Sequence, residues 1–180
     1  MAPPAQKRPS VARDGPGSGK GRRPGNNGPV TVTVQARDWA DPDGKRLRAA
    51  QRAELDARYG CDDHEPGTAP SAQDIAVFLV AIDPDGCARG CGALRLLDPG
   101  AAEIKRMFVE PDARGSGVAT AILRALEDHA RALGITTLKL ETGWGQPDAI
   151  RFYEREGYLR IENFGPYVGA DISRCYARRL

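Results

Sequence analysis

The sequence predicts an α+β (layered α/β) fold around one mixed sheet, and three observations carry that prediction. Apolar runs at 75–82, 87–97 and 102–109 are separated by Asp-Pro-Asp-Gly and Asp-Pro-Gly. Such turn chemistry folds consecutive strands into an antiparallel meander. The period then changes, with Val118, Ile122, Leu126 and Leu133 recurring at helical spacing. ITTLKLET, over 135–142, is β-branched and alternating and returns to strand period.

Taken in order, the elements begin near Val30, where VTVTVQA alternates apolar and polar residues as a strand does. Asp41 and Pro42 supply an N-cap and a first-turn proline for a helix reaching about Tyr59, with Gly60 as its stop. Residues 61–72 hold Gly, Pro, Asp and Ser and read as a loop. IAVFLVAI (Ile75–Ile82) is a buried strand, CARGCGALRLL (Cys87–Leu97) its returning partner, and AEIKRMFV (Ala102–Val109) the third of the meander. The helix opened near Val118 ends at Gly134, and the strand Ile135–Thr142 follows. Pro147 opens a short helix stopped by Gly157, and SRCYARRL (Ser173–Leu180) closes the chain as a strand. The order is β-α-β-β-β-α-β-α-β.

At 180 residues the chain is long enough for one domain with a full core. Its net charge of +2 is spread unevenly: residues 1–29 hold six basic side chains and one acid, +5 in all, which leaves −3 on residues 30–180. The first 29 residues are dominated by Pro, Gly, Arg, Ser and Asn. They cannot bury enough apolar surface to offset chain entropy and are expected to be a disordered basic tail, with residues 30–180 forming the domain. A mildly acidic domain argues against a nucleic-acid partner. No apolar run is long enough for a bilayer, and no secretory stretch opens the chain, so a cytoplasmic protein without a membrane partner, monomer or homodimer, is expected. GPGSGKG (15–21) fails as a phosphate loop of the Walker type, because Asp14 stands where a glycine is needed and Gly21 where Ser or Thr is needed. Cys61, Cys87, Cys91 and Cys175 are too sparse for a disulfide framework. Cys61-x2-His64 and Cys87-x3-Cys91 make a poor zinc pattern, so structural thiols and no metal are expected.

The most informative segment is strand, Pro111, Arg114-Gly115-Ser116-Gly117-Val118-Ala119, helix. A helix amino terminus exposes unpaired N–H groups and partial positive charge, and glycines let that backbone approach a bulky anion. The combination can cradle a pyrophosphate, and Arg114 at its mouth adds charge. It is not the dinucleotide fingerprint, whose third glycine and following acidic residue are missing. Taken alone, the pattern is equally a tight turn.

Arg114, Gly117 and Ala119 match the Arg/Gln-x-x-Gly-x-Gly/Ala signature of the GNAT N-acetyltransferase superfamily. EIKRMFV resembles that family's fourth strand, and PDAIRFYEREGY (Pro147–Tyr158) resembles its Ala-x-x-Phe-Tyr-x-x-x-Gly-Phe/Tyr motif. The resemblance spans about residues 30–180. GCGAL (Gly90–Leu94), ETG (Glu141–Gly143) and FGPY with Ser173 are further similar to a bacterial acetyltransferase subgroup loosely tied to indole-acetate metabolism. The resemblance implies the GNAT fold: a mixed, mostly antiparallel central sheet with helices on both faces, splayed between the fourth and fifth strands. Acetyl-CoA would be the cosubstrate in that splay. Its pyrophosphate would meet the N–H groups of Gly115, Ser116, Gly117, Val118 and Ala119, and its pantetheine would pair with the backbone of Phe108 and Val109. Gln146 stands where many relatives carry Asn, so its contact would differ in reach.

Acetyl transfer to an amine needs a base for the amine proton, a donor for the carbonyl oxygen and a proton for the leaving thiolate. The resemblance makes Tyr153 the proton donor; the other reading is a packing tyrosine. Glu103 matches the strand position of the catalytic glutamate of some histone-type relatives and is the candidate base, against the alternative of a solvated edge charge beside Lys105. Glu141, at the end of the next strand, is the rival base or a loop-binding carboxylate. The Val109 N–H is the expected oxyanion donor. His64 either borders the acceptor site or is an ordinary loop histidine, and His129 is expected to pack at its helix's edge. Trp144, Phe164 and Tyr167 either line an acceptor pocket or simply pack. The implied function is direct transfer of acetyl from acetyl-CoA to a primary amine of a small molecule. A protein lysine or N-terminal amine is the second acceptor class, and a non-catalytic acyl-CoA-binding module is the reading of a different kind.

Overall fold

A computed structural model describes residues 31–61, 65–97 and 99–180; the tail expected over 1–29, Val30 and His64 lie outside them. The strands are β1 (Thr33–Ala36), β2 (Ile75–Ile82), β3 (Ala88–Leu96), β4 (Ala101–Val109), β5 (Thr137–Gly143), β6 (Leu159–Ile161) and β7 (Ser173–Arg179). The helices are α1 (Pro42–Tyr59), α2 (Val118–Ala132) and α3 (Pro147–Arg155). Only β6 has no counterpart in the sequence reading. It is three residues long, too short to display a period, and exists by pairing with β7 at the sheet edge.

Local chemistry sets the helix limits. Asp41 Oδ1 accepts from the Gly44 N–H at 2.9 Å and caps α1, and Gly60 ends it in the left-handed region with its N–H on the Asp56 carbonyl. α2 carries Val118, Ile122, Leu123, Leu126 and Ala130 on one buried stripe. His129 lies on the exposed side of α2, a correction to the edge packing expected for it.

The sheet order is β1-β2-β3-β4-β5-β7-β6. Every neighbouring pair is antiparallel except β4 with β5, because the α2 crossover returns the chain in the same direction. Alternation along β2 sends Leu79 and Ala81 to the α2 side and Phe78 and Val80 to the α1 side, where Leu47 meets them. Helices therefore cover both faces. Each fully buried Leu or Ile in these two cores contributes about 1.5–3 kcal/mol.

Two irregularities of β4 shape the centre of the molecule. Lys105 pairs with Ala93 and Phe108 with Cys91, so Arg106 and Met107 together face Gly92. That is a β-bulge, and Arg106 takes φ 55° within it. Beyond the bulge the two faces exchange: Ala102 and Ile104 point to the α2 core, but so does Val109, while Phe108 joins the α1 core. The second irregularity is that β4 and β5 pair only over Ala101–Ile104 and Thr137–Leu140. Past those residues the strands part, as the resemblance implied.

Candidate active site

The parting of β4 and β5 opens a cleft of about 660 Å3 between α1, α2 and α3. It is lined by Phe108, Val109, Arg114, Gly115, Gly117, Ala119, Gln146 and Tyr153, all named from the sequence. Ser116 and Val118 do not line it with their side chains: the Ser116 hydroxyl donates to the Ala113 carbonyl at 2.6 Å, and Val118 is buried in the α2 core. What they can offer the cleft is backbone.

That backbone is arranged for an anion. Gly115 (φ 76°) and Gly117 (φ 93°) both adopt the left-handed region, and a Cβ built on either meets nothing within 4 Å. Gly117 is the N-cap of α2 and no side chain caps the helix. The first amide satisfied inside the helix is that of Ala121, on the Gly117 carbonyl. The N–H groups of Val118, Ala119 and Thr120 are therefore the helix's orphan donors, carrying its partial positive charge. Arg114 stands beside them, with Nε on the Val109 carbonyl at 3.0 Å and Nη2 on Glu54 of α1. Arg151 and Arg155, one turn apart on α3, also line this end.

Register decides where the β4 amides point. The Glu110 N–H bonds the Arg89 carbonyl, so the Gly90–Val109 pair next along the ladder is the non-hydrogen-bonded kind. The main-chain N–H and C=O of Val109 therefore point away from β3, into the gap. Gln51 of α1 approaches the bulge from the α1 side and donates from Nε2 to the Met107 carbonyl at 2.9 Å.

The inner end of the cleft is a smaller chamber of about 90 Å3, sharing Gln51, Leu55, Met107, Gln146, Ala149 and Tyr153 with the larger part. Tyr153 and Glu141 both line it, although they belong to opposite faces of the sheet. Tyr153 comes from the α2 side. Glu141 follows Leu140, which faces that core, and so points to the α1 side. The gap between the strands lets both reach one space. Tyr153 is 5% exposed and held edge-on by the rings of Phe152 and Tyr158. Its hydroxyl has no hydrogen-bond partner among the described residues, and burial pushes its pKa up. Burial also raises the Glu141 carboxyl above the ordinary value, and Glu65 and Glu103 add to the rise. Ser173 and Lys105 pull it back in part, but the Ser173 hydroxyl closes no hydrogen bond.

Glu103 is placed differently from expectation. It sits opposite Lys139 in the paired stretch of β4 and β5, one residue short of the point where the strands part. It is 2% exposed, lines neither part of the cleft, and accepts from the Tyr167 hydroxyl at 2.6 Å with Lys105 and Arg95 nearby at 3.6 and 3.8 Å. Tyr167 is thus a core residue holding that carboxylate, and Phe164 packs edge-on against it. Neither lines the cleft, nor does Trp144, which is 61% exposed. Of the two readings open for these three, Phe164 and Tyr167 follow the packing one, and none of the three lines the cleft.

Sequence reasoning missed the contribution of α1 and of the loop after it. Gln51, Leu55, Tyr59 and Glu65 all line the chamber. The Tyr59 signal was present in Gly143-Trp-Gly145: a Cβ on Gly143 would lie 1.8 Å from the Tyr59 hydroxyl, and one on Gly145 2.9 Å from its ring. Both glycines make room for that one side chain. Cys91 and Cys175 are buried, Cys61 and Cys87 exposed, and all four are free thiols. Burial carries the Cys91 thiol up to about 12, which leaves it inert. Among the described residues no cluster of His, Cys, Asp and Glu could hold a metal, and no helix is long and apolar enough to cross a membrane.

Comparison with known proteins gives these features a lineage. The IAA acetyltransferase of Azospirillum brasilense is 44% identical over 91 residues, 50% of this chain and 59% of that protein. An uncharacterized N-acetyltransferase of Schizosaccharomyces pombe is 30% identical over 105 residues, 58% of this chain and 63% of that one. The matches thus span about three-fifths of the length of these curated relatives. Among solved structures, a Klebsiella pneumoniae protein assigned as an acyl-CoA N-acyltransferase superposes with a TM-score of 0.72 at 32% identity, covering 83% of this chain and 97% of that one. The PaiA N-acetyltransferase of Thermoplasma acidophilum, solved with coenzyme A, shares the fold at a TM-score of 0.60 and 16% identity, over 82% and 99% of the two chains. The model of the acetyltransferase (GNAT) family matches residues 38–158, including α1, the bulged β4, the glycine loop and α3. With more than half of its length accounted for in this way, the chain belongs to the GNAT acetyltransferase family.

Proposed function

We propose that the protein transfers an acetyl group from acetyl-CoA directly to a primary amine of a small molecule, with Glu141 as general base and Tyr153 as general acid. The observation that carries this reading is the meeting of Glu141 and Tyr153 in one chamber, at the inner end of a cleft whose outer end offers orphan amides and arginines. The cosubstrate supplies an acetyl thioester. Gly115, Gly117 and the first turn of α2 suit its diphosphate, since open backbone with no Cβ admits a bulky anion. Arg114, Arg151 and Arg155 add charge there, and Val109 presents its strand backbone to the pantetheine arm, whereas the main chain of Phe108 is turned to β3.

At the inner end Glu141 takes the proton of the acceptor's ammonium group, and its raised proton affinity suits a base that works near neutrality. The amine nitrogen bonds to the carbonyl carbon as the carbon–sulfur bond breaks, and the second proton that the nitrogen then sheds restores the Tyr153 phenol once that has given its own to the sulfur. The Val109 N–H faces the carbonyl oxygen, and Tyr153 gives its proton to the departing sulfur. Glu103 takes no part in this scheme, because its carboxylate is already engaged by Tyr167 in the core. A small acceptor is supported by the 90 Å3 chamber.

The test is thiol release from acetyl-CoA with an amine acceptor, in the native protein and in Tyr153→Phe. Turnover is expected to fall by about 10²–10⁴-fold in the variant while coenzyme A affinity is retained. Equal turnover removes Tyr153 from the chemistry. Calorimetry that detects no binding of coenzyme A or its acetyl form to the folded native protein removes the whole reading.

A further inference from the structure

Four charged side chains line the inner chamber: Glu65, Lys105, Arg106 and Glu141. Two of them are cations, and both are already paired. Lys105 Nζ lies 3.4 Å from Glu65 Oε1, and Arg106 Nη2 lies 2.9 Å from Glu65 Oε2. One carboxylate therefore faces both chamber cations, one with each oxygen, while Arg52 of α1 stands 3.8 Å from Oε2 outside the chamber. Lys105 is further occupied by the Tyr167 hydroxyl at 2.8 Å and by Glu103. The arrangement is well buried, with Lys105 8%, Arg106 11% and Glu65 16% exposed. Burial alone would raise the Glu65 pKa, but Arg106 and Lys105 outweigh it and hold the carboxyl below its ordinary value. Glu141 is the exception in the chamber, having no ion-pair partner among the described residues.

We infer that Glu65 sets the acceptor selectivity of this site: by occupying both chamber cations it leaves only a negative charge for substrate, and so restricts the acceptor to a compact primary amine that carries no carboxylate. The inference rests on the proposed acetyl transfer at Tyr153 and Glu141. A cationic amine finds Glu141 unpaired. An amino acid brings a second, negative group into a space where each cation already has its counterion, and that group would be desolvated without a partner. The bulk of Tyr59, seated on Gly143 and Gly145, closes off room for the carboxylate to turn away.

The experiment compares matched acceptors, ethylamine against glycine and propylamine against β-alanine, by thiol release from acetyl-CoA. The native protein is expected to favour the plain amine by about tenfold or more, the worth of one charged hydrogen bond. In Glu65→Gln Arg106 loses its carboxylate while Lys105 keeps Glu103, and the ratio should move toward the amino acid by about the same factor. Adding Arg106→Met to that variant should reverse the gain, a readout that general destabilisation does not produce. Thermal melting with coenzyme A checks that each variant is folded. If the native protein uses amine and amino acid equally, or if folded Glu65→Gln leaves the ratio unmoved, Glu65 does not set selectivity, while the acetyl-transfer reading stands. If no primary amine of any kind supports thiol release, the acetyl-transfer reading itself falls and this inference with it.

Discussion

The Tyr167 hydroxyl donates to Glu103 Oε1 at 2.6 Å, closing a buried pair between the turn before β7 and the centre of the sheet. The same hydroxyl receives Lys105 Nζ at 2.8 Å, so one phenol joins a carboxylate to an ammonium. Tyr167→Phe is expected to cost about 1–3 kcal/mol of stability, the penalty for leaving buried charged groups without that partner. Glu103→Gln should likewise lower the urea midpoint and leave thiol release in place. Loss of turnover in Glu103→Gln at unchanged stability would return Glu103 to the chemistry.

Glu141 is expected to behave in the opposite sense. Its folded-state pKa lies above the ordinary 4.5 through burial, so folding favours its protonated form. The stability it lends is therefore fully present below the unfolded value and is lost as pH rises through the folded one. Near neutrality the ionised group is a burden, and Glu141→Gln should melt higher than the native protein. Turnover in that variant should drop by about 10²–10⁴-fold. The acid limb of the native pH–rate profile, displaced upward by the burial of Glu141, should vanish with it. A variant that melts lower and keeps its acid limb would show that Glu141 is not the base.

Gly117→Ala separates backbone strain from ligand binding. A Cβ there has open space but is forced to φ 93°, at a cost of about 1–2 kcal/mol. Gly134 is a matched control beyond the other end of α2, with φ 74° and the same open surroundings. Both alanine variants should lose similar stability in urea. Only Gly117→Ala should also weaken coenzyme A in calorimetry, by about tenfold if one charge-assisted hydrogen bond is lost. Equal affinity in the two variants would mean that the loop does not hold the diphosphate.

Every strand but β6, the helices and the glycine loop were legible because each is written locally. Period, turn residues and caps fix β2 to β4, α2 and β5 within a residue or two, and the Arg114–Ala119 loop sits where the strand-to-helix signature puts it. The outer half of the cleft is built from those local signals. The inner half is not. Gln51 and Met107 lie 56 residues apart, and Tyr59 meets Gly143 only because the sheet brings α1 over β5. Glu103 and Glu141 look alike as acidic residues on neighbouring strands. What distinguishes them is that pairing between β4 and β5 stops between their two positions, and sequence periodicity carries no record of where a ladder ends.

The extra residue at Arg106 makes β4 two half-strands that are out of phase. Ahead of it, even-numbered side chains look toward α2; behind it, odd-numbered ones do. Without that extra residue Met107, Phe108 and Val109 would follow Lys105 opposite Gly92, Cys91 and Gly90 in an unbroken ladder, so the bulge is what absorbs the offset and lets the Phe108 ring and the Val109 amide keep their faces. The residue that breaks the ladder is also one that lines the inner chamber, so at this point backbone irregularity and site chemistry are carried by the same position.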